Sequence, residues 1–262
     1  MADSGFSTGS NISRPNVTIV HSSDLHLGPD STGGSSDLSD SLAKLRDVLA
    51  VAKAEGAALL ILAGDTFDHN RQSSQLIDRT IGMMGEFGTP IVILPGNHDP
   101  LSPDSVYRRA PLGATPNLCV LGLSTKDAAV FPELGLEVWG KAHLDYTDML
   151  PLSEPRSRST PWQVAAAHGH YVEEPHVPGR FLGSWLIRSE DLKATGADYV
   201  ALGHWNRAAR VGDPQLNAYY SGSPEYARSV NVVRFLDDGG VEVKRTPLPG
   251  STAKHGVESK VT

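Results

Sequence analysis

The stretch Val17-Thr18-Ile19-Val20-His21-Ser22-Ser23-Asp24-Leu25-His26 runs from a short, β-branched apolar segment straight into an Asp-x-His pair. A continuous apolar run of this length reads as a strand buried on both faces, the hallmark of a parallel sheet. The same junction recurs four times. Ala57 to Ala63 leads to Gly64-Asp65-Thr66-Phe67-Asp68, and Ile91 to Leu94 to Pro95-Gly96-Asn97-His98-Asp99. Val164 to Ala167 leads to His168-Gly169-His170, and Tyr199 to Leu202 to Gly203-His204-Trp205-Asn206. In a parallel sheet the carboxyl ends share one edge, where open α/β folds place their ligands.

Between the first runs, Leu38, Leu42, Leu45, Leu49 and Ala52 recur at helical spacing, as do Ile77, Ile81 and Met84, with a stop at Gly85 or Gly88. Strand and helix alternate, which predicts βαβ units and an α/β fold. Further on, Leu136 to Trp139, Ala218 to Ser221, Asn231 to Phe235 and Val241 to Lys244 read as antiparallel strands forming a second sheet stacked on the first. Lys141 to Pro161 and Tyr171 to Gly183 are long connections, either surface excursions or lids.

The chain of 262 residues, 39% hydrophobic, is large enough for one sizeable domain. Residues 1–15 read as a disordered leader, 16–249 as the domain and 250–262 as a flexible tail, with Pro29 to Ser36 a surface loop. Cys119 is the single cysteine, in an apolar stretch, so no intrachain disulfide exists. The amino-terminal residues show no signal-peptide pattern and no segment reaches membrane-spanning length, so a cytoplasmic protein with no membrane association is expected. With 23 basic and 30 acidic residues the formal charge is −7, which argues against non-specific grip on duplex nucleic acid.

Mixed imidazole and carboxylate ligands favour borderline divalent cations over calcium. Two such cations, roughly 3.5–4 Å apart, bind a phosphoryl oxygen, lower the pKa of a bridging water and offset charge on the leaving oxygen. Metal-dependent phosphoester hydrolysis is the chemistry this set suits.

Asp24-x-His26, Gly64-Asp65, Gly96-Asn97-His98-Asp99, His168 and Gly203-His204, in this order, resemble the signature of the calcineurin-like metallophosphoesterases. The phrases His21 to Gly28, Asp198 to His204 and Tyr220 to Glu225 resemble its SbcD-type branch of DNA-repair exonucleases. The resemblance implies a four-layer α/β/β/α sandwich of two mixed sheets with no capping domain. It implies two divalent ions, manganese foremost with iron, zinc or cobalt as alternatives. By the same resemblance Asp24 and His26 hold the first metal, Asp65 bridges, and Asn97, His168 and His204 hold the second, with His170 an alternative to His168. His98 would face the substrate as general acid or as a stabilising cation, and Asp68 would orient it through its far ring nitrogen, unless Asp68 is a helix cap or an ion-pair partner of Arg71. The family pattern Gly-His-x-His is broken here, because Asn206 stands where the first metal gains an imidazole; an amide oxygen is the weaker ligand for these metals.

The foremost expectation is a phosphodiesterase with nuclease-like chemistry that uses a metal-bridging hydroxide; a small-molecule phosphodiesterase or phosphomonoesterase is the alternative, and a degenerate site that binds without turnover the second. The resemblance also implies an ATPase partner. The basic clusters are small: Arg108-Arg109, Arg156 with Arg158, and Arg207 with Arg210. Tyr171 to Trp185, with His176, Arg180 and Phe181, is the segment expected to carry selectivity.

Overall fold

A computed structural model describes residues 14–29, 38–126, 128–172 and 184–249. In chain order the strands are β1 (Val17–Ser22), β2 (Leu59–Ala63), β3 (Ile91–Leu94), β4 (Leu118–Val120), β5 (Ala128–Phe131), β6 (Leu136–Gly140) and β7 (Trp162–His168). They continue as β8 (His170–Tyr171), β9 (Leu186–Ile187), β10 (Tyr199–Gly203), β11 (Ala209–Arg210), β12 (Ala218–Tyr220), β13 (Ser229–Phe235) and β14 (Val241–Pro247). One six-stranded sheet has the order β14-β13-β1-β2-β3-β4, a second the order β11-β12-β10-β7-β6-β5, and β8 pairs with β9.

Every residue of β2, Leu59-Leu60-Ile61-Leu62-Ala63, is buried, because the sheet is covered on both faces. Burying a Leu or Ile side chain contributes about 1.5–3 kcal/mol, against roughly 1–2 kcal/mol to order each backbone unit. Helices α1 (Leu38–Ala54) and α2 (Ser74–Phe87) supply one cover through Leu45, Val48, Ile77, Ile81 and Met84. Ser73 caps α2 by accepting from the Leu76 N–H at 3.2 Å. Gly88 ends it in the left-handed conformation that glycine adopts without steric cost.

The second sheet shows its layering in the alternation of its strands. Along β7 and β10, Val164, Ala166, Tyr199 and Ala201 join the large core shared with the first sheet. Their neighbours Ala165, Ala167, Val200 and Leu202 join a smaller core on the opposite face, with Leu192 and Ile187. After the single-turn helix α3 (Val106–Arg109) comes the short helix α4 (Ser189–Ala194), which carries Leu192. The result is the four-layer α/β/β/α sandwich of two mixed sheets. Trp162 and Phe235 join the sheets ring to ring, with centroids 5.0 Å apart.

The strand assignment departs from the sequence reading in two respects. The five apolar runs do not form one sheet: three lie in the first as β1, β2 and β3, and two in the second as β7 and β10. Nor do the later strands form an antiparallel second sheet, since β13 joins β1 in the first sheet while β12 and β6 run parallel to β10 and β7. Period-two alternation reports which faces are buried, not the direction of a strand's neighbour. Arg14 and Pro15 pack on the fold: Trp162 Nε1 donates to the Pro15 carbonyl at 2.7 Å, and the Arg14 guanidinium sits 4.5 Å above the Trp162 ring. The rest of the expected leader, nearly all of the Pro29 to Ser36 loop, the tail from residue 250, and His176, Arg180 and Phe181 lie outside the described residues.

Candidate metal centre

The carboxyl ends of the two sheets meet. The His168 ring at the end of β7 reaches across, its Nδ1 2.9 Å from the Ala63 carbonyl at the end of β2. This approach leaves no room for side chains on the connecting backbone: a Cβ on Gly203 would fall 1.8 Å from that same carbonyl, and one on Gly96 would fall 2.2 Å from Asp65 Oδ1. The glycines that precede His204 and Asn97 are therefore packing requirements of the site.

Asp24, His26, Asp65 and His204 all adopt positive φ, of 54°, 45°, 51° and 106°. Left-handed backbone at a residue with a Cβ costs about 1–3 kcal/mol and persists where the surroundings enforce it. Here the loop after β1 is laced to the loop after β2 by Asp24 N–H to Gly64 O (3.0 Å), His26 N–H to Asp65 O (3.0 Å) and Leu27 N–H to Thr66 O (2.9 Å). The consequence is convergence of the side chains.

Asp65 is the common member of two ligand groups. Ligand atoms of His26, Asp65 and His98 lie within 4.8 Å of one another, and so do those of Asp65, His168 and His204. Asp65 Oδ2 is 3.0 Å from His168 Nε2, and Asp65 Oδ1 accepts the His98 N–H at 2.9 Å. Asn97 Oδ1 is 3.0 Å from His168 Nε2 and 3.2 Å from His204 Nδ1. Both Asp24 oxygens accept the His204 N–H at 3.0 Å, and one also accepts from Ser23 Oγ. His170, by contrast, is held away: its Nδ1 accepts from Trp205 Nε1 at 3.1 Å, and the Trp205 ring stacks on Tyr220.

Burial raises the Asp24 carboxyl to about 6, with Asp65 adding to the effect and His168 opposing it. Burial also pushes the Asp65 carboxyl up, but His168, His98 and His26 together hold it below the usual carboxylate range. Burial lowers His168, yet the Asp65 and Asp24 carboxylates prevail and bring it to about 9. His204 is lowered to about 4, first by burial and then by repulsion from His168. Two buried carboxylates and several imidazoles sharing so small a volume form a donor set that fits divalent cations.

One placement differs from expectation. The Asp68 carboxylate lies 3.3 Å from His26 Nδ1 and 3.9 Å from His98 Nδ1; it is the Asp68 backbone carbonyl that meets His98 Nδ1, at 2.8 Å. Asn206 is exposed, and its backbone carbonyl accepts the Ser223 N–H at 3.1 Å. Supporting residues that the sequence left without a role also appear. Buried Asp99 accepts from Gly96 N–H (2.7 Å), Phe67 N–H (3.0 Å) and Tyr107 Oη (2.6 Å), fixing the turn that carries Asn97 and His98. Buried His143 meets the His168 carbonyl at 2.9 Å through Nε2. Asp99 was legible as the last residue of its motif, whereas nothing around His143 marks it.

Two facing mixed sheets with a histidine and aspartate cluster at their common edge define an α/β sandwich with a candidate divalent-cation centre. The pattern of the Calcineurin-like phosphoesterase family matches residues 17–208, and the chain belongs to that family. Its family is one of phosphoesterases. The chain is 27% identical over 262 residues to the SbcD component of the nuclease SbcCD of Bacillus subtilis, covering 83% of this chain and 66% of that protein. It is 24% identical over 231 residues to the DNA double-strand break repair protein Mre11 of Sulfurisphaera tokodaii, covering 84% of this chain and 57% of that protein. The chain thus spans between about half and two thirds of these relatives. A crystal structure of a Staphylococcus aureus protein provisionally assigned as a 5′-nucleotidase, in complex with alpha-ketoglutarate, superposes with TM-score 0.55 at 16% identity. That likeness covers 89% of this chain and 54% of the other, and it concerns the fold.

Proposed function

We propose that the chain is a two-cation phosphodiesterase with nuclease-like chemistry. The observation that carries this reading is that Asp65 gathers His26 in one group of ligand atoms and His168 with His204 in another, since a carboxylate has two oxygens to offer to two cations. Two divalent cations, manganese foremost, would supply Lewis acidity toward a phosphoryl oxygen and toward water. Asp24, His26 and Asp65 would hold one, with Asn206 a weaker addition; Asp65, Asn97, His168 and His204 would hold the other.

His98 is the proton donor in this reading. A carbonyl only accepts, so the contact with Asp68 O places the hydrogen on His98 Nδ1 and leaves Nε2 to exchange a proton with the leaving oxygen. The ring is 43% exposed, so a substrate can reach it. Diester over monoester rests on the two relatives named as part of a nuclease and as a DNA-repair protein. Action with an ATPase partner and a cytoplasmic location belong to the same proposal. Among the described residues no helix is long and apolar enough to cross a membrane.

Initial rates with manganese on linear single-stranded DNA, a cyclic nucleotide, an aryl phosphodiester and an aryl phosphomonoester test it. DNA and the aryl diester are expected to turn over fastest. Preference for the monoester overturns the diester reading, and absence of turnover on all four points to a binding protein.

A further inference from the structure

A cavity of about 320 Å³ at the carboxyl end of β6 is lined by Lys126, Trp139, Lys141, Ser153, Glu154 and Arg156, together with Gly140. Its wall carries three cations and one anion, 3 − 1 = +2, in a chain of formal charge −7. Lys141 Nζ donates to a neutral partner, Ser153 Oγ, at 2.8 Å. Among the described residues neither lysine has an acidic partner within ion-pair distance. Arg156 is anchored through Nε to Glu137 Oε2 at 3.3 Å, and Glu137 is itself tied to Ser159 N–H (2.7 Å) and Gln163 Nε2 (3.0 Å). Trp139, whose buried indole N–H has no acceptor among the described residues, forms part of the wall.

The cavity shares an edge with the metal centre. Gly140 pairs with Ala166, two residues before His168, and His143, two residues after Lys141, meets the His168 carbonyl. The geometry points to an oxyanion subsite that takes a phosphate of a nucleic-acid strand remote from the bond being cleaved. Ammonium groups act on a diester phosphate as mobile point charges, and its single negative charge is shared by two non-bridging oxygens that they can reach from several directions. A small diester has no second phosphate to place there, so the subsite discriminates by substrate length. This inference rests on the phosphodiesterase reading, whose failure is separable from its own.

The test compares the full chain with the double variant Lys126→Gln/Lys141→Gln, and with Lys141→Arg as the charge-preserving control. Binding of a fluorescein-labelled, phosphorothioate single-stranded oligonucleotide is followed by anisotropy across salt concentrations. Loss of the phosphate held by the two lysines is expected to weaken binding about tenfold and to lower the slope of log Kd against log salt by about 0.7, with Lys141→Arg retaining the original slope. On a cleavable oligonucleotide KM rises while kcat holds, and the loss is confined to that substrate against bis(p-nitrophenyl) phosphate. Identical affinity and slope in wild type and double variant overturn the subsite. So does a variant that loses inorganic phosphate binding while keeping the oligonucleotide, which assigns the cavity to free phosphate. A wild type that cleaves the aryl diester and never the oligonucleotide defeats the nuclease reading, and the salt slope still decides the subsite.

Discussion

Asp65 Oδ2 and His168 Nε2 lie 3.0 Å apart, and both side chains are buried. With the His168 pKa raised to about 9, the stabilisation from this pair is complete below the unfolded value of 6.5 and is lost as pH rises through 9. Chelated protein is therefore expected to show a falling melting temperature between pH 6.5 and 9, and divalent metal, which replaces the proton, is expected to restore it. Asp65→Asn should abolish the raised His168 titration, seen by imidazole NMR, and should cut metal-dependent turnover on the order of a thousandfold, the equivalent of several kcal/mol. An unchanged His168 titration in that variant would contradict the pairing.

His98→Gln is expected to lower kcat about 10²- to 10⁴-fold on substrates with basic leaving groups. The loss should shrink on p-nitrophenyl esters, whose leaving group needs no proton. Equal losses across a leaving-group series would assign His98 to charge stabilisation.

The proximity of the Asp68 carboxylate to His26 predicts a division of effects. Asp68→Asn should weaken metal affinity about 10- to 100-fold, as removal of a ligand's supporting carboxylate does, while the backbone contact to His98 persists. Metal titration by calorimetry and the pH profile of kcat separate the two; a shifted kcat profile with unchanged metal affinity would show that Asp68 acts on His98.

Asn206→His should tighten the weaker of two metal sites, since imidazole is the stronger ligand for borderline cations. Two equally tight sites in the unaltered chain would remove the basis for this expectation.

His21 lies fully buried between the sheets, Nδ1 2.9 Å from Tyr199 Oη, and burial depresses its pKa to about 3. The unfolded chain binds the extra proton below pH 6.5, so stability falls as pH drops from 6.5 toward 3. His21→Gln should flatten this dependence by about 1.4 kcal/mol per pH unit between pH 4 and 6, measured by urea denaturation. Parallel curves for the two proteins would show that His21 is protonated in the fold.

Much of the centre could be read in one dimension because metal-ligating residue types followed immediately on buried strands. Asp24, Asp65, Asn97, His168 and His204 each stand within about three residues of a strand end, and at such a position side chains project from the sheet edge whatever the strand's neighbours. The choice between His168 and His170 was open in sequence because both lie at that edge. It is the Trp205 indole, 35 residues away, that engages His170 and leaves His168 to Asp65. The partner of Asp68 was open for the same reason: a carboxylate with two imidazoles in reach is allotted by loop geometry.

The order of apolar runs and polar ligands along the chain determined the strands, the α/β class and the residue types available for catalysis, since each depends on local periodicity and side-chain chemistry. Which strands share a sheet, that β7 and β10 face the first sheet from across the core, and that their histidines enclose Asp65 were decided by tertiary packing alone. Pairing is a choice between segments that are equally apolar, and it is settled only by how whole faces fit together.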